Sequence, residues 1–344
     1  MRNIFILFDC PDNDNDKQWL FDILNNKYTR GSVQTIPVYE KIAKIKRGTL
    51  IKKIRAYRLT VLQCLRAFKK SKPDDIIICW STISGLVFNL ISRLLGNKRY
   101  IICFNWLTPP MHHRSKIYSL FRYTATNKMC RMIINSQESE KQWVEYLKIN
   151  NINNFVFIPD VYDRNIDFIE PNYKKDRYCF TGGMANRDWA LLIAVAERIP
   201  NIRFVCVALE KDFKEKVNSI PFNVDVKYNI SIDQYYDLMK NASLVLLPLE
   251  KNIVSGLINI THSAQYGNIC CVSNTSAAKV YFDEMNKDLL MPKDIKKWAN
   301  KIDSLMKLDE NAYVKKAKSF QEYIISRFSP DMAANTILDI INDF

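Results

Sequence analysis

Glycine is scarce in this chain, which has eight glycines in 344 residues; the usual share is roughly 7%. No run of apolar residues approaches the roughly 18 that a membrane-spanning helix needs, so the sequence predicts no such helix. The apolar stretch 4–8 is too short for the apolar region of a signal peptide, and we expect it to form a first β-strand.

The nine cysteines include no pair with CxxC spacing, which excludes the zinc and redox motifs that depend on it. Most of them lie inside apolar, strand-like runs. We therefore expect buried free thiols in a reducing cytoplasm.

Apolar residues make up 48% of the chain, and its length favours two domains, each with a large core. Short apolar runs alternate with helical patterns in both halves, which is typical of parallel sheets covered on both faces. The predicted fold class is α/β, with two tandem Rossmann-like doubly wound domains. The predicted boundaries are a first domain at 1–160, a linker at 161–177, a second domain at 178–328 and a final helix at 329–344.

The only adjacent glycine pair, Gly182-Gly183, follows a predicted strand at 178–180 and precedes a predicted helix at 189–199. Arg187 lies between them. Backbone N–H groups at a glycine turn and at a helix N-terminus can bind a phosphate.

A second turn of the same kind lies further along the predicted second domain. Ser255, Gly256 and Leu257 precede the predicted helix 258–266, and Glu250 follows an apolar strand at 244–247. Ligands of open parallel sheets bind beyond the carboxyl ends of the strands. We expect two helix N-termini and Arg187 to hold a diphosphate there.

Five segments resemble the GT-B glycosyltransferases, in particular the family-4-like retaining group. Residues 180–208 resemble the start of their C-terminal domain. Residues 231–249 resemble the helix and strand that follow, and 255–274 resemble the donor-binding helix and the strand after it. Residues 130–163 resemble the last β-α-β unit of their N-terminal domain, and the helix from Ser329 resembles the one that crosses back onto the first domain. The resemblance implies the GT-B fold, with the two domains facing across a cleft.

The resemblance also implies roles for individual residues. Gly183 corresponds to the glycine whose N–H faces the donor diphosphate, and Arg187 to the basic residue that contacts it. Ser255, Gly256 and Leu257 correspond to the loop around the phosphates. The co-substrate is then a UDP- or GDP-sugar, with no cofactor and no metal, because the second half contains no DxD motif.

The sequence departs from that group at two acidic positions and one basic position. Two glutamates flank the phosphate loop in the group, whereas Ile253 or Val254, and Thr261 or His262, occupy those positions here. Glu250 is the nearest acid and is our candidate for the ribose hydroxyls. The usual lysine one turn after the arginine is replaced by leucine.

The first domain is expected to bind the acceptor. His112 and His113 follow the predicted strand 100–104, and a histidine there is a candidate base because its pKa lies near neutral pH. A surface role beside Arg114 is the alternative. Asp9 and Asp12, after the first strand, are the rival candidates, although a run so rich in Asp and Asn is more often a solvated loop.

Residues 41–72 contain twelve Lys or Arg and no Asp or Glu, so twelve of the chain's fourteen net positive charges fall there. Such a segment is attracted to anionic lipids. Nucleic acid and a merely solvated face are the alternatives, and no nucleic-acid-binding motif accompanies the segment. Its apolar positions share one helical face, which we expect to pack on the sheet; they are Ile51, Ile54, Val61, Leu62, Leu65 and Phe68.

These expectations combine into one function. The sequence predicts a hexosyltransferase-type enzyme that transfers a sugar to a lipid-linked or polysaccharide acceptor, in capsule or lipopolysaccharide synthesis. It would be peripheral on the cytoplasmic face of the plasma membrane. A nucleotide-sugar epimerase of the same fold and a non-catalytic nucleotide-sugar-binding protein are the alternatives.

Overall fold

A computed structural model describes residues 2–10, 18–38, 50–96, 99–106, 109, 115–149, 153–173, 177–183, 186–250 and 255–344. The chain divides into two compact units. Unit 1 comprises Met1–Pro159 and Pro330–Phe344, and unit 2 comprises Asp160–Ser329.

Unit 1 is built on a six-stranded parallel sheet with the strand order β2-β1-β3-β4-β5-β6. The strands are short and apolar, and the side chains of β1 and β3 are buried on both faces of the sheet. Its elements in chain order are β1 (Ile4–Leu7), α1 (Gln18–Lys27), β2 (Val33–Thr35), α2 (Leu50–Lys70), β3 (Ile76–Cys79), α3 (Thr82–Leu94), β4 (Tyr100–Cys103), α4 (Ser115–Thr126), β5 (Cys130–Ile134), α5 (Gln137–Leu147) and β6 (Phe155–Phe157).

Unit 2 contains a second six-stranded parallel sheet, ordered β12-β11-β10-β7-β8-β9. Its elements in chain order are β7 (Tyr178–Gly182), α6 (Trp189–Arg198), β8 (Arg203–Ala208), α7 (Glu210–Lys216), β9 (Val224–Tyr228), α8 (Ile232–Lys240), β10 (Leu244–Leu247), α9 (Ile258–Gln265), β11 (Ile269–Ser273), α10 (Ser276–Lys279), β12 (Leu290–Met291), α11 (Ile295–Met306) and α12 (Glu310–Arg327). The last helix of the chain, α13 (Pro330–Asp343), belongs to unit 1. There Asp331 pairs with Lys27 of α1 at 2.9 Å. The predicted fold class is confirmed.

Each sheet has one point where the strand order reverses. In unit 1 it lies between β1 and β3, and in unit 2 between β7 and β10. The connections leave the two strands in opposite directions, so a crevice opens beyond their carboxyl ends. Open parallel sheets bind their ligands in crevices of this kind.

The segment that enters unit 2 is fixed to α9. The Gln265 side chain donates to the carbonyl oxygens of Asp163 and Ile166 and accepts from the Asp163 N–H. Gln321 of α12 adds bonds to the carbonyls of Ile169 and Ala264. Residues 160–169 are therefore part of the packing of unit 2.

All nine cysteines are buried free thiols, as the sequence predicts. Burial raises the pKa of Cys103 and of Cys270 to about 12. In the part of the chain that the structure describes, no helix is long and apolar enough to cross a membrane.

The expected packing of α2 is wrong. The face that packs on unit 1 consists of Ala56, Thr60, Gln63, Cys64 and Ala67. Small side chains let the helix approach the sheet closely, and Gln63 satisfies carbonyls at the strand ends. Of the six apolar positions expected to pack, only Phe68 contacts the core. The other five are exposed.

Candidate functional site

The loops that follow β7 and β10 are joined at the reversal point of the second sheet. Arg187 and Leu249 form an antiparallel bridge. The Asp188 N–H donates to the Pro248 carbonyl at 2.9 Å, and the Glu250 N–H donates to the Asn186 backbone carbonyl at 3.2 Å. These bonds hold the two loops together beyond the carboxyl ends of the strands.

Arg187 is the centre of this arrangement. Its side chain is buried, with the residue 1% exposed, and its Nε donates to the Gly182 carbonyl at 2.9 Å. A Cβ added at Gly183 would lie 2.7 Å from the guanidinium carbon, and one added at Gly256 would lie 3.0 Å from it. Both distances are too short for carbon atoms in contact. The guanidinium therefore occupies a slot between Gly183 and Gly256, and a side chain at either position would displace it.

The structure thus brings together four residues that the sequence analysis selected from two separate turns: Gly182, Gly183, Arg187 and Gly256. It also corrects one role. The Gly183 N–H donates to the Val207 carbonyl at 3.2 Å and continues the ladder between β7 and β8, so it does not face a phosphate. The requirement for glycine comes from its φ of 145° and from the guanidinium beside it.

Two further residues, which were not selected from the sequence, lie beside the Gly182 carbonyl that accepts from Arg187. The Asn259 side chain, in the first turn of α9, donates to that carbonyl at 3.2 Å and to the Tyr235 hydroxyl at 2.9 Å. Burial raises the pKa of Tyr235 to about 12, so it stays a neutral phenol. The sequence does contain a sign of this role, because Asn259 lies three residues after Gly256, in the first turn of the helix predicted to bind the phosphates.

Burial also lowers the pKa of Arg187 from its usual value. A guanidinium nonetheless remains protonated in proteins. The site therefore contains a positive charge in a setting of low dielectric, where its attraction for an anion is stronger than in water.

The start of α9 adds a second source of positive potential. Gly256 has a φ of 71°, which turns the chain into the helix, and Leu257 occupies the N-cap position without a polar side-chain atom. Ser255 directly precedes the turn. The first N–H groups of a helix carry a partial positive charge. At α9 these groups begin beside the guanidinium of Arg187.

Glu250 lies at the edge of this site and pairs with a lysine. The Lys216 ammonium is 3.1 Å from the Glu250 carboxylate and 2.9 Å from Asp212, and it donates to the Arg187 carbonyl at 3.3 Å. The Glu250 side chain is 39% exposed and remains accessible to a ligand. Lys216 comes from α7, not from the helix that follows Arg187, so sequence spacing gave no indication of it.

His262 occupies one of the positions where the resemblance implies a glutamate, and it is buried, with 1% of its surface exposed. Its ring packs edge-on against Tyr236 at 5.1 Å, and neither ring nitrogen has a hydrogen-bond partner among the described residues. Burial lowers its pKa to about 4, opposed by the charge of Asp163. His262 is therefore a neutral packing residue at pH 7.

The reversal point of the first sheet carries an aromatic cluster. Trp80 stacks on Phe104 with the ring centroids 4.8 Å apart, and it meets Phe8 at 5.5 Å and Trp19 at 6.2 Å. Both indole rings are partly exposed, while Phe8 and Phe104 are buried. Trp19 and Trp80 lie 61 positions apart in the chain, so no sequence pattern indicates this cluster.

The candidate acceptor residues fall at the same edge or outside the described residues. Asp9 directly follows Phe8, two positions beyond the end of β1. Asp12, His112 and His113 lie outside the part of the chain that the structure describes. Within that part, no group of three or more His, Cys, Asp or Glu side chains is placed to hold a metal ion.

Comparison with known proteins identifies the fold. No protein-family model matches the sequence, and no curated protein matches it. Solved structures match along its full length. Anabaena HepE in complex with UDP and glucose has a TM-score of 0.69 and 15% identity over 100% of both chains.

Two other kinds of enzyme show the same likeness. Sucrose-phosphate synthase from Thermosynechococcus elongatus has a TM-score of 0.71 and 14% identity over 100% of this chain and 99% of its own. A UDP-forming α,α-trehalose-phosphate synthase from Burkholderia vietnamiensis has a TM-score of 0.64 and 10% identity over 100% of both chains. At this level of identity the likeness defines the architecture: the chain has the two-domain fold of the GT-B glycosyltransferases.

Proposed function

We propose that this chain is a glycosyltransferase that takes a sugar from a nucleotide-diphosphate sugar bound by unit 2. The observation that carries the proposal is the buried Arg187, which lies between Gly183 and Gly256 beyond the carboxyl ends of β7 and β10. The Gly183 and Gly256 main chains approach this fixed positive charge so closely that a Cβ at either position would displace it. The likeness to enzymes of the GT-B fold supports the same conclusion.

The chemistry of the donor explains the charge. When the bond from the sugar to the diphosphate breaks, negative charge develops on the leaving phosphate. A pre-positioned guanidinium and the N-terminus of α9 stabilise that charge without reorganising. We propose that they replace a metal ion in this role, so that transfer is metal-independent.

The donor nucleotide is proposed to be UDP, with GDP as the second candidate. UDP and UDP-glucose are the ligands bound in the HepE structures to which this chain is similar. Glu250, accessible beside the slot, is the candidate partner for the ribose hydroxyls.

We propose that the acceptor binds at the reversal point of unit 1. A sugar ring presents an apolar C–H face, and the partly exposed rings of Trp80 and Trp19 offer a matching surface. Asp9 lies beside this surface, and Asp12, His112 and His113 remain the other candidates for the catalytic base.

We further propose that the acceptor is lipid-linked or a growing polysaccharide of the cell surface, such as a capsule or lipopolysaccharide precursor. The enzyme would then work as a peripheral protein on the cytoplasmic face of the plasma membrane. The basic segment 41–72 supports this location, because it contains twelve cationic residues and no acid.

Mass spectrometry with a panel of UDP- and GDP-sugars tests the proposal, with free nucleotide diphosphate and transferred sugar as the two products measured. We expect one donor to be hydrolysed slowly alone and faster with an oligosaccharide or lipid-linked acceptor. Arg187→Ala should abolish the product, whereas Arg198→Ala, at the exposed far end of the helix α6 that follows Arg187, should leave it unchanged.

Three results would contradict the proposal. Calorimetric binding of a donor without any turnover would identify a non-catalytic binding protein instead. Conversion of one nucleotide sugar into its isomer would identify an epimerase. Turnover that survives Arg187→Ala would exclude the slot as the donor site, and circular dichroism of the variant must confirm that it is folded.

A further inference from the structure

Helix α2 presents a continuous apolar stripe to solvent. Seven large side chains are 36–79% exposed along its length: Leu50, Ile51, Ile54, Tyr57, Val61, Leu62 and Leu65. Their spacing places them on one side of the helix, with Arg58 among them, and this side is turned by about 140° from the face that packs on unit 1. Single exposed apolar residues are common on protein surfaces, but a contiguous stripe of this kind marks an interaction surface.

The most exposed part of the stripe projects beyond the sheet. The Gln63 side chain donates to the carbonyls of Phe8 and Ile36, which lie just past the ends of β1 and β2. Gln63 therefore marks the level of the carboxyl edge. The part of α2 before it is about 20 Å long at 1.5 Å per residue. Leu50, Ile51 and Ile54 in this part are 72%, 79% and 59% exposed.

This projecting half emerges from the edge that carries the aromatic cluster. Phe8, whose carbonyl Gln63 binds, also packs against Trp80. A surface that binds the projecting half is therefore adjacent to the proposed acceptor site within the same unit.

The charge of α2 defines the partner. The helix contains seven Lys or Arg and no Asp or Glu. Lys52, Lys53, Arg55 and Arg58 fall in the projecting half and are exposed. A second copy of this chain would bring like charges together. An anionic lipid surface complements the charges, and its acyl region accepts the apolar stripe.

We propose that the projecting half of α2 inserts its apolar stripe into the headgroup–acyl boundary of an anionic bilayer. The helix then lies in the plane of the interface with its basic residues among the lipid phosphates. Insertion holds the acceptor edge of unit 1 against the membrane, where a lipid-linked acceptor is presented. The lipid-linked acceptor in this inference rests on the proposed function, whereas the insertion of α2 into the bilayer does not depend on it.

Vesicle flotation with the full chain tests the insertion. Wild type should bind vesicles of phosphatidylcholine and phosphatidylglycerol, bind phosphatidylcholine alone much more weakly, and keep part of its binding in high salt. Ile51→Gln/Ile54→Gln should lower the partition coefficient at least about tenfold and remove the salt-resistant part. Lys52→Gln/Lys53→Gln should lower binding mainly at low salt.

A matched control comes from unit 2. Phe222 is 90% exposed and lies on a loop between α7 and β9. Phe222→Gln removes an apolar side chain as exposed as those of the stripe, and we expect it to leave flotation unchanged. A fall equal to that of the α2 variant would overturn the proposal.

Depth of insertion can be read directly, because all nine native cysteines are buried and a new exposed thiol will be labelled selectively. A polarity-sensitive dye on Ile54→Cys should shift to the blue on anionic vesicles and be quenched by brominated acyl chains. The same dye on Lys52→Cys, off the stripe, should shift much less. Equal responses at the two positions would overturn insertion.

Two other outcomes would also overturn it. Light scattering that shows a dimer in wild type and a monomer in Ile51→Gln/Ile54→Gln would assign the stripe to a second copy of this chain. Vesicle binding equal in wild type and this variant would make the attraction purely electrostatic. Donor binding, measured without vesicles, separates the two proposals: its failure overturns the function, and unchanged flotation of the α2 variant overturns the insertion.

Discussion

The substitution Gly256→Ala tests the central packing arrangement of unit 2. Gly256 has a φ of 71°, a conformation that costs an L-residue about 1–2 kcal/mol. The added Cβ would also lie 2.9 Å from Nη1 of Arg187. The guanidinium must then move, and because it is buried with little room to move we expect its hydrogen bond to the Gly182 carbonyl to break. A hydrogen bond to a charged group contributes about 1.5–3 kcal/mol. We expect a total destabilisation of about 3–5 kcal/mol.

Gly96→Ala is the matched control. Gly96 has nearly the same φ, 67°, but a Cβ there meets no atom within 4 Å. It should cost only the backbone term of about 1–2 kcal/mol.

Urea denaturation of both variants gives the difference in unfolding free energy, and calorimetry with UDP gives the difference in affinity. We expect Gly256→Ala to weaken UDP binding by about a hundredfold, because the guanidinium is displaced, and Gly96→Ala to leave it unchanged. Equal destabilisation by the two substitutions, together with unchanged UDP affinity, would refute the slot as the reason for glycine at 256.

Three further predictions concern single side chains. Burial lowers the pKa of His262 to about 4 in the folded state, against 6.5 in the unfolded state, so the unfolded state binds a proton first as the pH falls. The free energy of unfolding should therefore be unaffected by His262 above pH 6.5 and fall by roughly 3 kcal/mol between pH 6.5 and pH 4. Urea unfolding at pH 7 and pH 5 measures this fall, and His262→Asn should reduce it. Glu250→Gln should weaken the affinity for UDP about tenfold but leave the affinity for inorganic pyrophosphate unchanged, since pyrophosphate has no ribose. Equal losses of affinity for the two ligands, measured by competition calorimetry, would place Glu250 at the phosphates. Trp80→Ala should lower kcat/KM for the acceptor about tenfold or more and leave the affinity for UDP unaltered. Steady-state kinetics with each substrate varied measures both effects. An unchanged KM for the acceptor would show that the aromatic surface does not bind it.

Much of the architecture follows from local patterns. The buried strands β3, β7 and β10 are short apolar runs, and helices such as α6 begin at clear N-cap residues like Asp188. Two strands carry much weaker sequence signals and are not predicted from local patterns. Strand β2 has three residues and β12 has two, and both are edge strands whose pairing is set by the rest of the sheet.

The sequence predicted which turns of the candidate site lie at one edge of the sheet, but not the contacts between their side chains. Gly182, Gly183 and Arg187 are neighbours in sequence, and Gly256 follows a strand end, so the rule for parallel sheets placed them at one edge. Sequence could not show that the guanidinium lies between the two glycines, nor that the Gly183 N–H bonds to Val207. Such contacts depend on the sheet order, which pairs β7 with both β8 and β10.

The error on α2 has a physical cause as well. An apolar helical face normally packs on a core, and periodicity alone does not distinguish a core face from a surface that another molecule covers. Here the core-facing side is made of small residues and a glutamine that binds strand-end carbonyls. The large apolar residues are left facing outward.

The most direct test of the account is a crystal structure of the chain with UDP. We expect the diphosphate oxygens within hydrogen-bonding distance, about 3 Å, of the Arg187 guanidinium and of the first N–H groups of α9. The uridine should extend from there along the carboxyl edge of the second sheet. UDP bound elsewhere, with Arg187 still enclosed and without contact to the ligand, would contradict the claim that this slot is the donor site.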